Sequence, residues 1–399
     1  MSRIEAPARL PSQAGHDLLC IRLHNRLHIR FRSMSERTLD GMTDVRTADK
    51  TAAGVSDVEK LDAFCHVLPR DYAERLFALD GVAAVANLRR RIMNIPALVD
   101  LDVRFRQLDE FPGYRQIINL AAPPVEDFGD PKLSADFARQ GNDGLASLVA
   151  GHPDRFIGFC AAVSLTDVDT AIAELDRAVH QLGAVGVQIY THVRGHPLDE
   201  DRFEPFWRRC AELDLLVQVH PCRNSSWADY PTEERSKYEI WWTFGWEYDL
   251  SAFMARIVFS GVLERYPALK FLIHHGGSMI PHFSGRVGPG WDQLGSRTPP
   301  HQREDVTGYP LTKRPVDYFR MFYADTALFG ATHALRCAVE FFGSERVLFG
   351  SDSPYDPEKG PGYIRSAIAD VHALDLTDEQ RAGVFAGNVR RLLGSRLPT

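Results

Sequence analysis

From residue 60 onward, short apolar runs alternate with longer stretches in which apolar side chains recur every three or four positions. The runs are Leu61 to His66, Gln116 to Ala122, Phe156 to Val163, Val185 to Tyr190, Leu215 to His220, Leu269 to His275, Met321 to Ala327 and Val347 to Gly350. They are mostly continuous rather than alternating, as strands buried on both faces should be. Between them, Ser134 to Ala150, Asp167 to Gln181, Asp201 to Leu213, Leu250 to Tyr266 and His333 to Phe342 carry helical spacing. Eight strands alternating with helices predict an α/β fold, a (β/α)8 TIM-like barrel with long inserted loops and an N-terminal extension. A doubly wound open sheet is the competing arrangement. No glycine-rich phosphate fingerprint follows the first strand, which removes its usual nucleotide-binding form.

Three segments break the rhythm. Residues 1–55 read as an N-terminal extension, poorly ordered, with 56–399 as the barrel. Within the extension, residues 18–32 place Arg22, Arg26 and Arg30 on one helical face, as a membrane-surface or targeting helix would. The order of a secretory signal is missing, and the natural start is expected at Met34 or Met42. Residues 67–114 and 221–249 are too long to be plain connections and are expected to act as lids or binding loops. The first holds Arg89, Arg90 and Arg91. The second holds Trp227, Trp241, Trp242 and Trp246, four of the six tryptophans. These form either a wall over an apolar or aromatic substrate or packing against helices or another subunit.

Charge and cysteine usage narrow the class. A formal charge of -7 argues against a general nucleic-acid binder, which would show a basic domain. The six cysteines are scattered without a CxxC pair, so they read as reduced thiols of a cytoplasmic protein. No apolar run reaches the ~18 residues of a membrane span.

The candidate chemistry lies where strands end, on the rim that carries catalytic groups in parallel barrels. The first strand ends on His66, the fifth on His220, the sixth on His274-His275-Gly276-Gly277 and the eighth on Ser351-Asp352. One such residue alone reads as a packing histidine or a turn-capping aspartate. Imidazoles and a carboxylate at four of eight strand ends match the ligands of a zinc-like cation. Strand alternation sends His274 and His275 to opposite faces, so only one is expected in the site.

The set FCHVLP, GVQIYTHV, VHP, GVLERYPALKFLIHHGG followed by PHFSGR, and FGSDSPY, in this order, resembles the amidohydrolase superfamily. The resemblance is to the branch typified by aminocarboxymuconate-semialdehyde decarboxylase and runs from about residue 60 to 395. It implies His66, His220 and Asp352 as metal ligands and His275 as the acid/base group beside a metal-bound water. Asp352 thereby belongs to the catalytic set. Arg286 matches an arginine that holds a substrate carboxylate from the neighbouring subunit, which implies a homodimer. Arg89, within the run to Arg91, is the candidate for a second carboxylate clamp, and Trp241 for a substrate wall.

One position departs from the pattern. The resemblance calls for His-x-His or Glu-x-His on the first strand, but here Phe64 precedes His66. Phe64 should face the site and Cys65 away from it. Three protein ligands remain, enough for a catalytic metal, and recruitment of His275 can make a fourth. The fourth strand ends Ile189-Tyr190-Thr191-His192 without a metal-bridging lysine, so one divalent ion is expected, zinc first and manganese second. The implied function is non-oxidative decarboxylation of a carboxylated aromatic or ring-cleavage product. The same parts suit hydrolysis of a lactone, ester or amide. A degenerate, non-catalytic carboxylate-binding barrel is the reading that Phe64 favours.

Overall fold

The computed structural model describes residues 58–79, 85, 89–90 and 94–398. The chain divides into units Met1–Gly54 and Val55–Thr399. The first unit, with its arginine-bearing stretch 18–32 and the two internal methionines, lies outside the described residues, as does Arg91.

All eight predicted runs form strands. They are β1 (Lys60–Val67), β2 (Tyr114–Leu120), β3 (Phe156–Ala162), β4 (Gly186–Tyr190), β7 (Leu216–His220), β8 (Lys270–Ile273), β9 (Tyr323–Asp325) and β10 (Val347–Leu348). A small antiparallel hairpin, β5 (His192–Val193) with β6 (His196–Pro197), sits in the connection after β4. The main sheet runs β1-β2-β3-β4-β7-β8-β9-β10, with parallel pairing throughout. Hydrogen bonds from Ala63 N to Phe349 O, Asp352 N to Phe64 O and His66 N to Ser353 O stitch the last strand to the first. The result is a nearly closed barrel whose helices lie between successive strands.

Side-chain alternation divides the core into an inside and an outside. Leu216 and Leu272 pack inside the barrel with Ile117, Ile157 and Leu348, where Val389 and Leu393 of the C-terminal helix Asn388–Leu393 meet them. Their neighbours Val217 and Phe271 face outward onto the surrounding helices. Higher in the barrel the interior turns polar: Asn119 Nδ2 donates to Gln218 Oε1 at 2.7 Å, and Gln218 Nε2 to Ala63 O at 2.6 Å. The barrel is therefore filled, and its chemistry is confined to the rim.

The helices follow their sequence signals. Val168–Leu182 starts on Asp167, whose carboxylate accepts from Thr170 N, and buries Ala171, Leu175 and Ala178 on one face. It ends at Gly183, whose φ of 77° glycine adopts without strain. The helix expected over Leu250 to Tyr266 is two pieces, Gly245–Phe259 and Val262–Arg265, because the chain turns at Gly261 with φ of 73°. The 67–114 connection is in part ordinary scaffold: helices Arg70–Phe77 and Leu101–Leu108 bury Tyr72, Leu76 and Leu108. Among the described residues, no helix is long and apolar enough to cross a membrane.

A candidate metal centre at the barrel rim

His66 near the end of β1, His220 at the end of β7, His274 just past β8 and Asp352 beyond β10 converge on the rim. Asp352 Oδ1 lies 3.1 Å from His66 Nε2 and 3.3 Å from His274 Nε2. The ligand atoms of His66, His220 and His274 all lie within 4.8 Å of one another, as do those of His274, His275 and Asp352. All five side chains are buried. His220 Nδ1 donates to Pro221 O at 2.6 Å, which leaves its Nε2 lone pair free. His275 Nδ1 donates to Ala327 O at 3.1 Å, with the same consequence. Asp352 adopts φ of 62°, a left-handed conformation that aspartate tolerates better than most residues.

The expectation that only one of the paired histidines faces the site is not met. β8 stops at Ile273, two residues short of the predicted end, so strand alternation no longer governs His274 and His275. His275 takes φ of 56°, and the two rings stack with centroids 3.8 Å apart. His274 is fixed from behind by Asp325 at the end of β9, which accepts its Nδ1–H. Asp325 is itself held by Gly276 N and Ala327 N, both at 3.1 Å. Phe64 faces inward as expected, with its ring 3.9 Å from that of His274 and nearly parallel to it. Cys65 points away, toward the outer core.

The electrostatics favour a cation here. Burial alone would raise the Asp352 carboxyl, but the neighbouring His274 and His66 outweigh it and hold it well below the usual range. Burial lowers His66 despite Asp352, and lowers His220 further with help from His66 and His274. Both are neutral at pH 7, the form that binds a metal. Burial opposes charge on His274 too, yet Asp325 and Asp352 push it up to about 10. Two carboxylates thus call for positive charge at this place, which a proton or a metal ion supplies. His66 Nε2 and His274 Nε2 are buried without a hydrogen-bond partner although both approach Asp352. Ligands about 2.0–2.1 Å from a tetrahedral ion stand roughly 3.3 Å from one another, close to the spacings around Asp352 Oδ1. The residues fit a divalent ion.

Aromatic rings wall the cluster. Trp246 lies edge-on to His220 with centroids 5.7 Å apart and parallel to His275 at 6.5 Å. Tyr355 is 5.4 Å from His66, and Phe329 is 5.4 Å from His275. Trp241 stands one layer back, against Trp246 at 5.7 Å. Trp227 instead stacks on His192. Arg89 is exposed and donates to Phe77 O at the end of its helix, so the structure does not bring it to the cluster. The Arg286 side chain is exposed and has no hydrogen bond or ion pair among the described residues, while its backbone N donates to Phe283 O at 2.7 Å. The 67–114 insertion does send one arginine inward. Arg104, 1% exposed, donates to His66 O at 2.8 Å, to Ala97 O and to Gln116 Oε1. Only its helical spacing with Leu108 and Leu101 hinted at this burial.

A second group, His192, Cys222 and Asp249, also has ligand-type atoms within 4.8 Å of one another. Gly195 N donates to His192 Nδ1, which puts the ring proton on Nε2, 3.3 Å from Cys222 Sγ. Asp249 accepts from Thr191 Oγ1. This is a hydrogen-bonded knot that ties the connections after β4 and β7 to the helix Gly245–Phe259.

Known proteins share this fold and much of this sequence. The family model described as Amidohydrolase matches residues 106–395. A gamma-resorcylate decarboxylase of Polaromonas sp. strain JS666 is 32% identical over 280 residues, covering 67% of this chain and 80% of the relative. A 2-amino-3-carboxymuconate-6-semialdehyde decarboxylase of Dictyostelium discoideum is 26% identical over 296 residues, 74% of this chain and 77% of the relative. The crystal structure of a dihydroxybenzoic acid decarboxylase from Polaromonas sp. JS666, with bound manganese and 2-nitroresorcinol, superposes with a TM-score of 0.66 at 27% identity. It spans 84% of this chain and 96% of that one. These relatives are carbon–carbon lyases, and the chain belongs to the amidohydrolase family.

Proposed function

We propose that this chain is a metal-dependent, non-oxidative decarboxylase of a small aromatic carboxylate, with His66, His220 and Asp352 holding the ion and His275 carrying the proton. The observation that supports it most is the convergence of imidazole nitrogens without hydrogen-bond partners on the Asp352 carboxylate, in a family whose relatives decarboxylate aromatic acids. When bound, a divalent ion supplies Lewis acidity toward the oxygen atoms of the substrate. Zinc suits a site rich in imidazole; manganese, bound in the Polaromonas structure, is the alternative.

The remaining work falls to the chain's own groups. In the reaction the carbon–carboxylate bond breaks, carbon dioxide leaves and a proton takes its place on the ring carbon. His275, with Nδ1 fixed on Ala327 O, presents Nε2 to the site and carries that proton. Trp246 and the exposed Phe329 flank His275 and offer faces against which an aromatic ring stacks, displacing water from them. Arg286 acts from the neighbouring chain of a two-fold dimer and pairs with a substrate carboxylate, in keeping with an exposed side chain that has no partner among the described residues.

The test is a panel of hydroxybenzoic acids, carboxylated ring-cleavage products, and aryl lactones, esters and amides. Carbon dioxide is measured alongside acid release. The proposal expects carbon dioxide from at least one aromatic acid and one solvent deuteron on the product ring in D2O. Hydrolysis without carbon dioxide would replace it with a hydrolase. Binding of carboxylates without turnover would leave the non-catalytic barrel.

A further inference from the structure

The resemblance places a metal ligand on the first strand at position 64, and this chain carries phenylalanine there. We propose that His274 supplies the ligand that β1 does not, so that His66, His220, His274 and Asp352 together hold the ion. The proposal rests on the reading of His66, His220 and Asp352 as ligands and adds a residue that strand alternation alone excludes.

Four observations carry it. His274 Nε2 is fully buried, has no hydrogen-bond partner and stands 3.3 Å from Asp352 Oδ1, nearly matching His66 Nε2 at 3.1 Å. Its ligand atom lies within 4.8 Å of those of His66 and His220. Its other nitrogen donates to the Asp325 carboxylate, the arrangement that fixes the tautomer and ring of metal-bound histidines. Finally, the Phe64 ring lies flat on the His274 ring, 3.9 Å away at 8°. Phe64 is therefore more than a missing ligand, because it forms the wall that orients the replacement.

The local backbone explains how the exchange is possible. β8 ends at Ile273 and His275 takes φ of 56°, so both histidines turn toward the rim. Gly276 follows with φ of 64°, and its N–H closes on Asp325. His275 keeps the proton-carrying role while His274 coordinates, one nitrogen toward Asp325 and one toward the ion.

The experiment uses the full chain and zinc alone, with affinity read by competition against a chelator. His274→Gln should weaken zinc binding at least about 100-fold, since a ligand matters more than the residues behind it, whose loss typically costs 10- to 100-fold. Phe64→His in the His274→Gln background should recover at least about tenfold of that loss, by restoring the ligand on β1. X-ray absorption of the zinc-loaded wild-type chain, which involves no variant, should report three imidazole ligands. His220→Gln serves as the reference for the underlying metal reading. If it loses zinc while His274→Gln binds within threefold of wild type, or if absorption counts two imidazoles, the role of His274 is overturned and the metal centre stands. In that case His274 is an imidazolium clamped between Asp325 and Asp352. If His220→Gln also leaves zinc affinity unchanged, the underlying reading falls with it.

Discussion

Glu126, in the single turn Val125–Phe128 after β2, offers a sharp electrostatic test of the rim. The residue is 6% exposed; Oε1 accepts from Leu165 N at 3.0 Å, and Oε2 is buried with no partner. Burial pushes the carboxyl up from 4.5 to about 7, against the opposing backbone hydrogen bonds. The folded state therefore binds this proton more tightly than the unfolded state does. Its stabilising contribution is fully present below pH 4.5 and is lost as the pH rises through about 7. At roughly 1.4 kcal/mol per pKa unit, moving from pH 5 to pH 8 removes about 2–3 kcal/mol of stability from the wild type. Glu126→Gln keeps an oxygen for Leu165 N and cannot ionise, so it is spared this loss. Urea unfolding of both chains at pH 5 and pH 8 measures the difference. The variant should gain about 2–3 kcal/mol on the wild type across that interval. A difference that stays constant with pH would refute the buried-proton argument.

His275→Asn should lower turnover about 100- to 10,000-fold while zinc content stays near wild type; loss of both together would make His275 a ligand instead. Arg286→Ala chains mixed with His275→Asn chains should regain activity once subunits exchange, because the heterodimer holds one site with neither defect. Verified exchange without recovery would confine Arg286 to its own chain or to no role. Arg104→Met should destabilise the chain by about 3 kcal/mol or more, since His66 O, Ala97 O and Gln116 Oε1 lose their buried donor. An unchanged unfolding midpoint would contradict that.

The barrel was legible because strands buried on both faces produce short apolar runs, here eight of them alternating with helical stretches. His66, His220 and Asp352 were legible as strand-end residues, and the structure gathers them. His274 was not, because the sequence does not mark where β8 stops, and alternation holds only while the strand lasts. Arg89 looked better placed than Arg104 because a run of arginines draws the eye, whereas the inward reach of Arg104 depends on where one helix packs. Trp241 and Trp246 are five residues apart in the same loop, and only tertiary packing sets Trp246 beside His220 and His275. Asp325 gave no motif of its own. Its importance comes from its partner, His274.

If the proposed function holds, decarboxylation depends on a divalent ion held at the rim. The direct measurement is carbon dioxide release from the most responsive aromatic acid, followed through chelation and stepwise return of zinc or manganese. Release should fall to background in metal-free protein and rise linearly to a maximum at about one ion per chain. Full turnover after exhaustive chelation, with metal content verified as negligible, would contradict it.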